Sequence, residues 1–474
     1  MLDLLLEAWT SSLIEMAKLR SRTGANRPWT PRTKLKLLIA AYNGARNTGE
    51  DVRVEEMVRQ FRRVLGGENV DLSVLTFDQE LSRGYFGDAT QIKFPNIFPP
   101  FLYREVPQHD AAVACLGATF SKTFADATAA FMIGTLGIAS ARQKISMVYG
   151  GEAGHMDRIV AGMCRRYCQR SLLIVRNEES RAVLRELGLP SELGADTAWT
   201  FEPQPSEYGR RMLRQVGWDE KKRVLVVCPN NPFWWPVQAS LAKFLALKLT
   251  GAYGDIQNRS VYFHTAGAKA RAGFNRYVRA IVNAVKTYCS RHDVFPVFVG
   301  MERLDRRACQ AASQLLGGAP VFTSAEHDMY QLVSIVRCAH MLVSSRYHGI
   351  VTSMPALVPS AGVTIDERIR NLMRERGHEH LLVEADDEEL EGKFLEVLER
   401  LGNECEAISD AIGRTVVKNL KMMARMGELL EQCVHERYPE FPVRVGRRSW
   451  EEYLPPLSPN LLRLVEEYEA KAVV

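Results

Sequence analysis

The sequence predicts an α/β protein: two parallel-sheet domains facing each other across a cleft, with a helical C-terminal extension. Three observations lead there. Short strands, apolar on both faces, alternate with amphipathic helices from Leu35 to Val383, the pattern of parallel sheets covered on both sides. The alternation breaks once, at the Pro-rich FEPQPSEYG segment (201–209), and then restarts. At 474 residues the chain is too long for one ordinary core. The expected units are an N-terminal helix and linker (1–34), a first sheet domain (35–205), a second sheet domain (206–385) and a helical extension (386–474).

The elements follow in order. Leu2, Leu5, Leu6, Trp9, Leu13 and Met16 recur at helical spacing. Asp3 and Glu7 interrupt that apolar run, so it does not read as a signal sequence. A helix docked on the body accounts for it, and a helix resting on a membrane surface is compatible with it. RSRTGANRPWTPRT (20–33) reads as a linker. Leu35–Ala41 is a buried strand, YNGARNTGED (42–51) a turn, and Asp51–Leu65 a helix with Val54, Met57, Val58 and Phe61 on one face. Strands are expected at Val70–Thr76, Ala111–Leu116, Ile145–Tyr149 and Leu172–Val175. Helices are expected at Thr123–Ala139, Met156–Cys168 and within NEESRAVLRELG, which opens on acids and ends in Gly188. In the second domain, Val224–Cys228, Ser260–His264, Val294–Val299, Val321–Thr323, Met341–Val343 and Leu381–Val383 read as strands. Glu388–Leu401, Glu404–Cys433 and Leu461–Ala470 read as helices with no strand between them.

Sixty-one Lys and Arg against 56 Asp and Glu give a net charge of +5, spread along the chain. That excludes a dedicated nucleic-acid binder and stays compatible with anionic substrates or membrane surfaces. The nine cysteines are odd in number, scattered and without metal-ligand spacing. They read as reduced thiols of a cytoplasmic protein, with no metal site. No stretch is long enough to span a bilayer.

Candidate chemistry gathers at strand-to-helix junctions, where an open α/β sheet presents ligands to its crevice. In MLVSSRYHGIVTSM (341–354) a buried strand ends at Ser344 and Ser345, and Arg346 and His348 follow at the start of a helix whose first N–H groups favour an anion. The turn from Gly44 to Asp51 offers glycines for close backbone approach, with Asn47, Glu50 and Asp51 as polar groups. Arg176 ends another strand, and Arg368 opens a helix soon after the His348 junction. Asn230, Trp234 and Trp235 follow the first strand of the second domain, where an aromatic pair suits a sugar ring. His155 stands in a Gly-rich turn as a further ligand contact.

Taken in order, the Gly-x-x-Asn-x-Gly-acid turn, VRNEESRAVLRELG, Gly194-Ala195-Asp196-Thr197-Ala198, and Ser-Arg-Tyr-His-Gly with Asp366-Glu367-Arg368 behind it resemble the polysaccharide pyruvyl transferase family. The resemblance runs from Leu35 to Val383. It implies two facing Rossmann-like domains of GT-B-like architecture, and transfer of the pyruvyl part of phosphoenolpyruvate to a sugar hydroxyl as a ketal. It implies His348 with Glu50 or Asp51 as catalytic residues, and Arg346, Arg368, Arg176 and Ser345 as the phosphoenolpyruvate site. Asn47, Asn230, Trp234, Trp235 and His155 are left for the acceptor. Phosphoenolpyruvate is a donor substrate here, no cofactor or metal is needed, and the acceptor is a sugar or lipid-linked saccharide of a cell-surface or exported polysaccharide. A cytoplasmic enzyme with peripheral contact at the inner membrane fits that role.

The chain departs from the family pattern in three places. Gly-Asp-Glu reads Gly-Glu-Asp, Arg368 stands where Lys is usual, and Leu116-Gly117-Ala118-Thr119 replaces a Gly-Gly turn. The rival readings are a nucleotide-sugar glycosyltransferase or epimerase on the same architecture, and an inactive sugar-binding protein. The acceptor sugar and the oligomeric state are not written in the sequence.

Overall fold

The computed structural model describes residues 2–24, 29–442 and 448–472. Sixteen strands form three sheets. In chain order they are β1 Leu35–Asn43, β2 Val70–Thr76, β3 Thr90–Lys93, β4 Ala111–Ala114, β5 Ile145–Gly151, β6 Leu172–Val175, β7 Glu192–Leu193, β8 Arg223–Cys228, β9 Gln238–Ala239, β10 Gln257–Arg259, β11 Tyr262–Phe263, β12 Val294–Gly300, β13 Val321–Thr323, β14 Met341–Ser344, β15 Ser360–Thr364 and β16 Leu382–Glu384. The first sheet runs β3-β2-β1-β4-β5-β6-β7 and the second β13-β12-β8-β14-β15-β16, with every pairing in both parallel. In each, the chain starts in mid-sheet and reverses direction beside its first strand, so β1/β4 and β8/β14 are topological switch points. Both switch points open toward the same interdomain cleft.

The buried strands are near-continuous apolar runs, as parallel strands covered on both faces require. One expected strand lies elsewhere, and one buried strand carries no clear signal in the sequence. Ser260–His264 is not part of the second sheet. Ser260 and Val261 form the turn between β10 and β11 of a small antiparallel sheet, β10-β11-β9, and Tyr262 and Phe263 are β11, with most of the segment half-exposed. The second is β15, which went unrecognised because Ser360-Ala361-Gly362-Val363-Thr364 lacks large apolar residues. It is nonetheless fully buried between β14 and β16.

The N-terminal helix, Leu2–Arg22, extends through the start of the segment read as a linker, and residues 25–28 of that segment lie outside the described residues. The helix buries Leu13, Ile14 and Ala17 against the helix Asp126–Ala141. It fits because Gly134 and Gly137 there leave room for Thr10 and Ile14: an added Cβ would come within 2.8 and 2.7 Å of their methyl carbons. Leu4, Leu5, Trp9, Met16 and Leu19 stay exposed.

At the other end, the 33-residue helix Cys405–Arg437 returns to the first domain. Its Met423 carbonyl accepts from Gln60 Nε2 at 2.8 Å, and Met426 packs on Gly194. Among the described residues no helix is long and apolar enough to cross a membrane, and all nine cysteines are free thiols.

Candidate active site

The cleft is built from the N-terminal ends of helices that follow the switch-point strands. Asn47 caps the helix Thr48–Leu65, its side chain accepting from Glu50 N–H at 3.3 Å. Across the cleft, Thr48 N–H donates to the Met301 carbonyl at 2.9 Å. This brings the first turn of that helix against the His348 junction. Gly49 makes the approach possible, because a Cβ there would lie 2.0 Å from His348 Nδ1.

An ionic cluster fills the floor. Asp196 Oδ2 is reached by Arg53 Nε at 3.2 Å, Arg176 Nη1 at 2.8 Å and His348 Nε2 at 3.3 Å. Arg53 also pairs with Glu50 at 3.2 Å and donates to the Gly150 carbonyl at 2.7 Å. Arg176 grips Glu152, whose other oxygen accepts from Asn177 and, across the domain boundary, from Asn371. The Tyr347 ring covers the guanidinium of Arg176 at 4.1 Å. Burial alone would raise the Asp196 carboxyl, but Arg53, His348 and Arg176 outweigh it and hold the group far below the usual carboxylate range. For His348 burial wins over the pull of Asp196, and its pKa falls below the ordinary 6.5.

Beside this floor lies a cavity of about 90 Å³ lined by Asn47, Glu50, Trp235, Glu302, Arg346 and Arg368, among others. Arg346 turns its Nε/Nη2 edge to Asp305, at 2.9 and 2.5 Å, and to Glu302 at 2.8 Å. Arg368 turns the same edge to Asp366, at 3.3 and 2.9 Å, and stacks on Phe124 at 4.4 Å. Neither guanidinium commits Nη1 to a protein partner among the described residues. Two half-used forks facing one small polar cavity are suited to an anion with several oxygens.

Each residue singled out in the sequence has a definite place. Asn47, Glu50, Trp235, Arg346 and Arg368 line the cavity, while Arg176 and His348 stand in the ionic floor joined to it through Glu50 and Arg53. Asp51 does not line it. Its carboxyl is buried next to the Gly44 backbone, and burial raises its pKa well above the carboxylate range, Arg46 opposing and Glu50 and Glu302 adding. Ser345 hydrogen-bonds Tyr277 at 2.7 Å, and Asn230 holds the Ser345 carbonyl at 3.1 Å, so both tie strand ends together outside the cavity lining. Trp234 stacks on His264 at 4.5 Å, and His155 is exposed; neither lines the cavity.

Arg53, Glu152, Glu302 and Asp305 were not singled out. Arg53 sits in a helix carrying charges on every face, and only the fold shows that its side chain is fully buried. Among the described residues no group of three His, Cys, Asp or Glu is placed to hold a metal ion.

Two facing parallel-sheet domains with a polar cleft at both switch points define a GT-B-like α/β architecture. Solved structures share it. A glycosyltransferase from Rickettsia africae superposes with a TM-score of 0.51 at 11% identity, covering 85% of this chain and 98% of its own. An S. aureus MnaA structure with UDP gives 0.52 at 9%, covering 87% and 100%. A UDP-glucosyltransferase from Polygonum tinctorium gives 0.51 at 9%, covering 85% and 99%. At these identities the likeness is one of fold. No curated protein matches the chain.

The family is settled by sequence: residues 47–367 match the polysaccharide pyruvyl transferase model, and the chain belongs to that family.

Proposed function

We propose that this protein transfers the pyruvyl group of phosphoenolpyruvate to a sugar of a cell-surface or exported polysaccharide, or its precursor, as a cyclic ketal. The observation that carries the reading is that Arg346, Arg368 and Glu50 line one cavity. Phosphoenolpyruvate brings a phosphate and a carboxylate, and the two free Nη1 groups answer them.

In this reading Glu50, fixed by Gly117 N–H at 3.3 Å and Arg53, removes the proton as a sugar hydroxyl adds to C2 of the donor. A proton passes to C3, turning the methylene into a methyl group, and His348 is its source. Burial lowers the pKa of the imidazole and favours its neutral form. A multiply charged anion beside it raises its pKa and loads the proton. Phosphate then leaves with the C2–O bond electrons, and a neighbouring sugar hydroxyl attacks C2, losing its proton to close the ketal. The sum is donor plus diol giving ketal plus inorganic phosphate.

The test is incubation with phosphoenolpyruvate and a panel of sugars, following phosphate release and the new methyl signal by NMR. Release that depends on both partners, and is lost in Glu50→Gln, is expected. Turnover of a nucleotide sugar with no use of phosphoenolpyruvate would overturn the proposal.

A further inference from the structure

The polar cavity continues into a second, much larger space. A chamber of about 580 Å³ shares Tyr42, Leu116, Ala125, Thr128 and Asn258 with it. That volume is typical of a site for a sizeable ligand. Its walls come from the Leu2–Arg22 helix, the Phe94–Phe98 loop, the Asp126–Ala141 helix and the β10-β11 hairpin. Phe94 and Phe131 pack with ring centroids 4.4 Å apart.

Three properties narrow the occupant. Among the lining residues there is no Asp, Glu, Lys or His, and the one charge is Arg259. A sugar or a nucleotide requires a set of directed polar partners, whereas a hydrocarbon chain requires none. Arg259 lies over the Phe77 ring at 3.5 Å, donates to the Phe94 carbonyl at 3.5 Å and feels Asp78 and Tyr42 electrostatically, Tyr42 lining both spaces; it makes no ion pair among the described residues. A cation of the apolar chamber set near Tyr42, at the wall shared with the smaller cavity, suits a phosphate joined on one side to a sugar and on the other to a lipid.

The mouth of the chamber is itself apolar and open. Leu5, Trp9 and Ile97 line it yet are 61%, 44% and 65% exposed. Phe244 lines it from the helix Leu241–Thr250, which exposes Leu241, Leu245 and Leu249 at every fourth position and carries Lys243 and Lys248 with no acid. An apolar rim with lysines beside it matches an anionic bilayer surface.

We infer that the chamber holds the hydrocarbon chain of a lipid-linked acceptor, with Arg259 on its phosphate and its sugar presented to the Arg346–Arg368 cavity. This rests on the transfer reading above and assigns the chamber and Arg259 as the site of the acceptor's lipid and phosphate.

The test is calorimetric titration of the whole chain with farnesyl phosphate, and with farnesol and inorganic phosphate as its two halves. Farnesyl phosphate should bind at least about tenfold more tightly than either half. Ala127→Trp, which fills the chamber, should abolish that binding, and Arg259→Gln should reduce it to the level of farnesol. Phe244→Asp, on a half-exposed helix, places a carboxylate in the chamber and serves if Ala127→Trp does not fold. Absence of saturable farnesyl phosphate binding, or binding unchanged in the chamber variants, overturns the inference. Phosphoenolpyruvate binding, followed in parallel by thermal shift, should be the same in all of them. Its absence from the unaltered protein, with farnesyl phosphate still bound, would sink the donor reading and leave the chamber standing.

Discussion

His348 Nε2 lies 3.3 Å from Asp196 Oδ2, the same oxygen that Arg53 and Arg176 reach at 3.2 and 2.8 Å. One carboxylate thus orients the imidazole from one domain and neutralises two buried guanidinium groups of the other. Asp196→Asn removes the charge and keeps the shape. It leaves Arg53 and Arg176 underpaired in a site closed to water, an expected cost of about 3–5 kcal/mol. It also removes the carboxylate that pulls the His348 pKa upward, so that pKa should fall further. Thermal denaturation reads the first effect and an NMR titration of His348 the second. An unchanged titration would show that the ring is not held by Asp196.

His348 also ties stability to pH. Its folded pKa lies below the ordinary 6.5, so below that value the unfolded chain binds a proton that the folded one resists. Its contribution is full at neutral pH and is lost as the pH falls below about 6.5. The slope of melting temperature against pH just below 6.5 should therefore flatten in His348→Gln.

The two adjacent acids of the first turn separate cleanly. Glu50 lines the cavity, whereas Asp51 is buried off it with its pKa raised well above the ordinary 3.8. In the window between 3.8 and that raised value the folded chain holds a proton that the unfolded chain releases, so stability declines as the pH rises. Asp51→Asn, neutral and of the same shape, should therefore raise the melting temperature at neutral pH and spare phosphate release. Glu50→Gln should lower the turnover rate by roughly 10²–10⁴-fold, the range for a lost general base. Similar losses from both substitutions would refute the distinction.

The doubly wound domains were legible because Leu37–Ala41, Val224–Val227 and Met341–Val343 are apolar runs bounded by turn signals. β15 was not, because burial between two strands demands small side chains as readily as large ones. At the site, motif order singles out Arg176, Arg346, His348 and Arg368. It misses the acids that partner them, since Glu152, Glu302 and Asp305 sit among many ordinary surface charges in the sequence. Only the fold shows them to be 2%, 3% and 1% exposed. The apolar chamber was equally hidden, because its walls come from many separate segments, each of which reads alone as packing.

The two cavity arginines differ in what their loss exposes. Arg346 compensates two buried acids, Asp305 and Glu302, whose pKa values burial already raises despite it. Arg346→Ala should therefore cost about 3–5 kcal/mol of stability as well as donor binding. Among the described residues Arg368 forms an ion pair with Asp366 alone, the capping residue of its own helix, which also accepts from Arg368 N–H. Arg368→Ala should unfold at nearly the native temperature while the KM for phosphoenolpyruvate rises about 10- to 100-fold. Denaturation curves with steady-state phosphate release give both numbers for each variant. A native KM in Arg368→Ala would remove that residue from the donor site.

The last prediction concerns shape and not charge. A Cβ at position 49 would lie 2.0 Å from His348 Nδ1, 2.3 Å from Cγ and 2.5 Å from Cβ. These contacts are with the base of a ring fixed by Asp196 and crossed edge-on by Tyr347 at 5.0 Å, so the imidazole has little room to yield. In Gly49→Ala either the ring leaves Asp196 or the helix Thr48–Leu65 withdraws, and withdrawal also carries Glu50 away from the cavity. Both routes separate the groups assigned to the two proton transfers. Phosphate release should fall by at least about 10²-fold. A helical glycine exchanged for Ala would otherwise gain about 1 kcal/mol. The His348 resonance followed by NMR tells the routes apart: a pKa returning toward 6.5 marks a ring that has swung out to water. Native turnover in this variant would mean that the close approach of helix and imidazole has no part in the reaction.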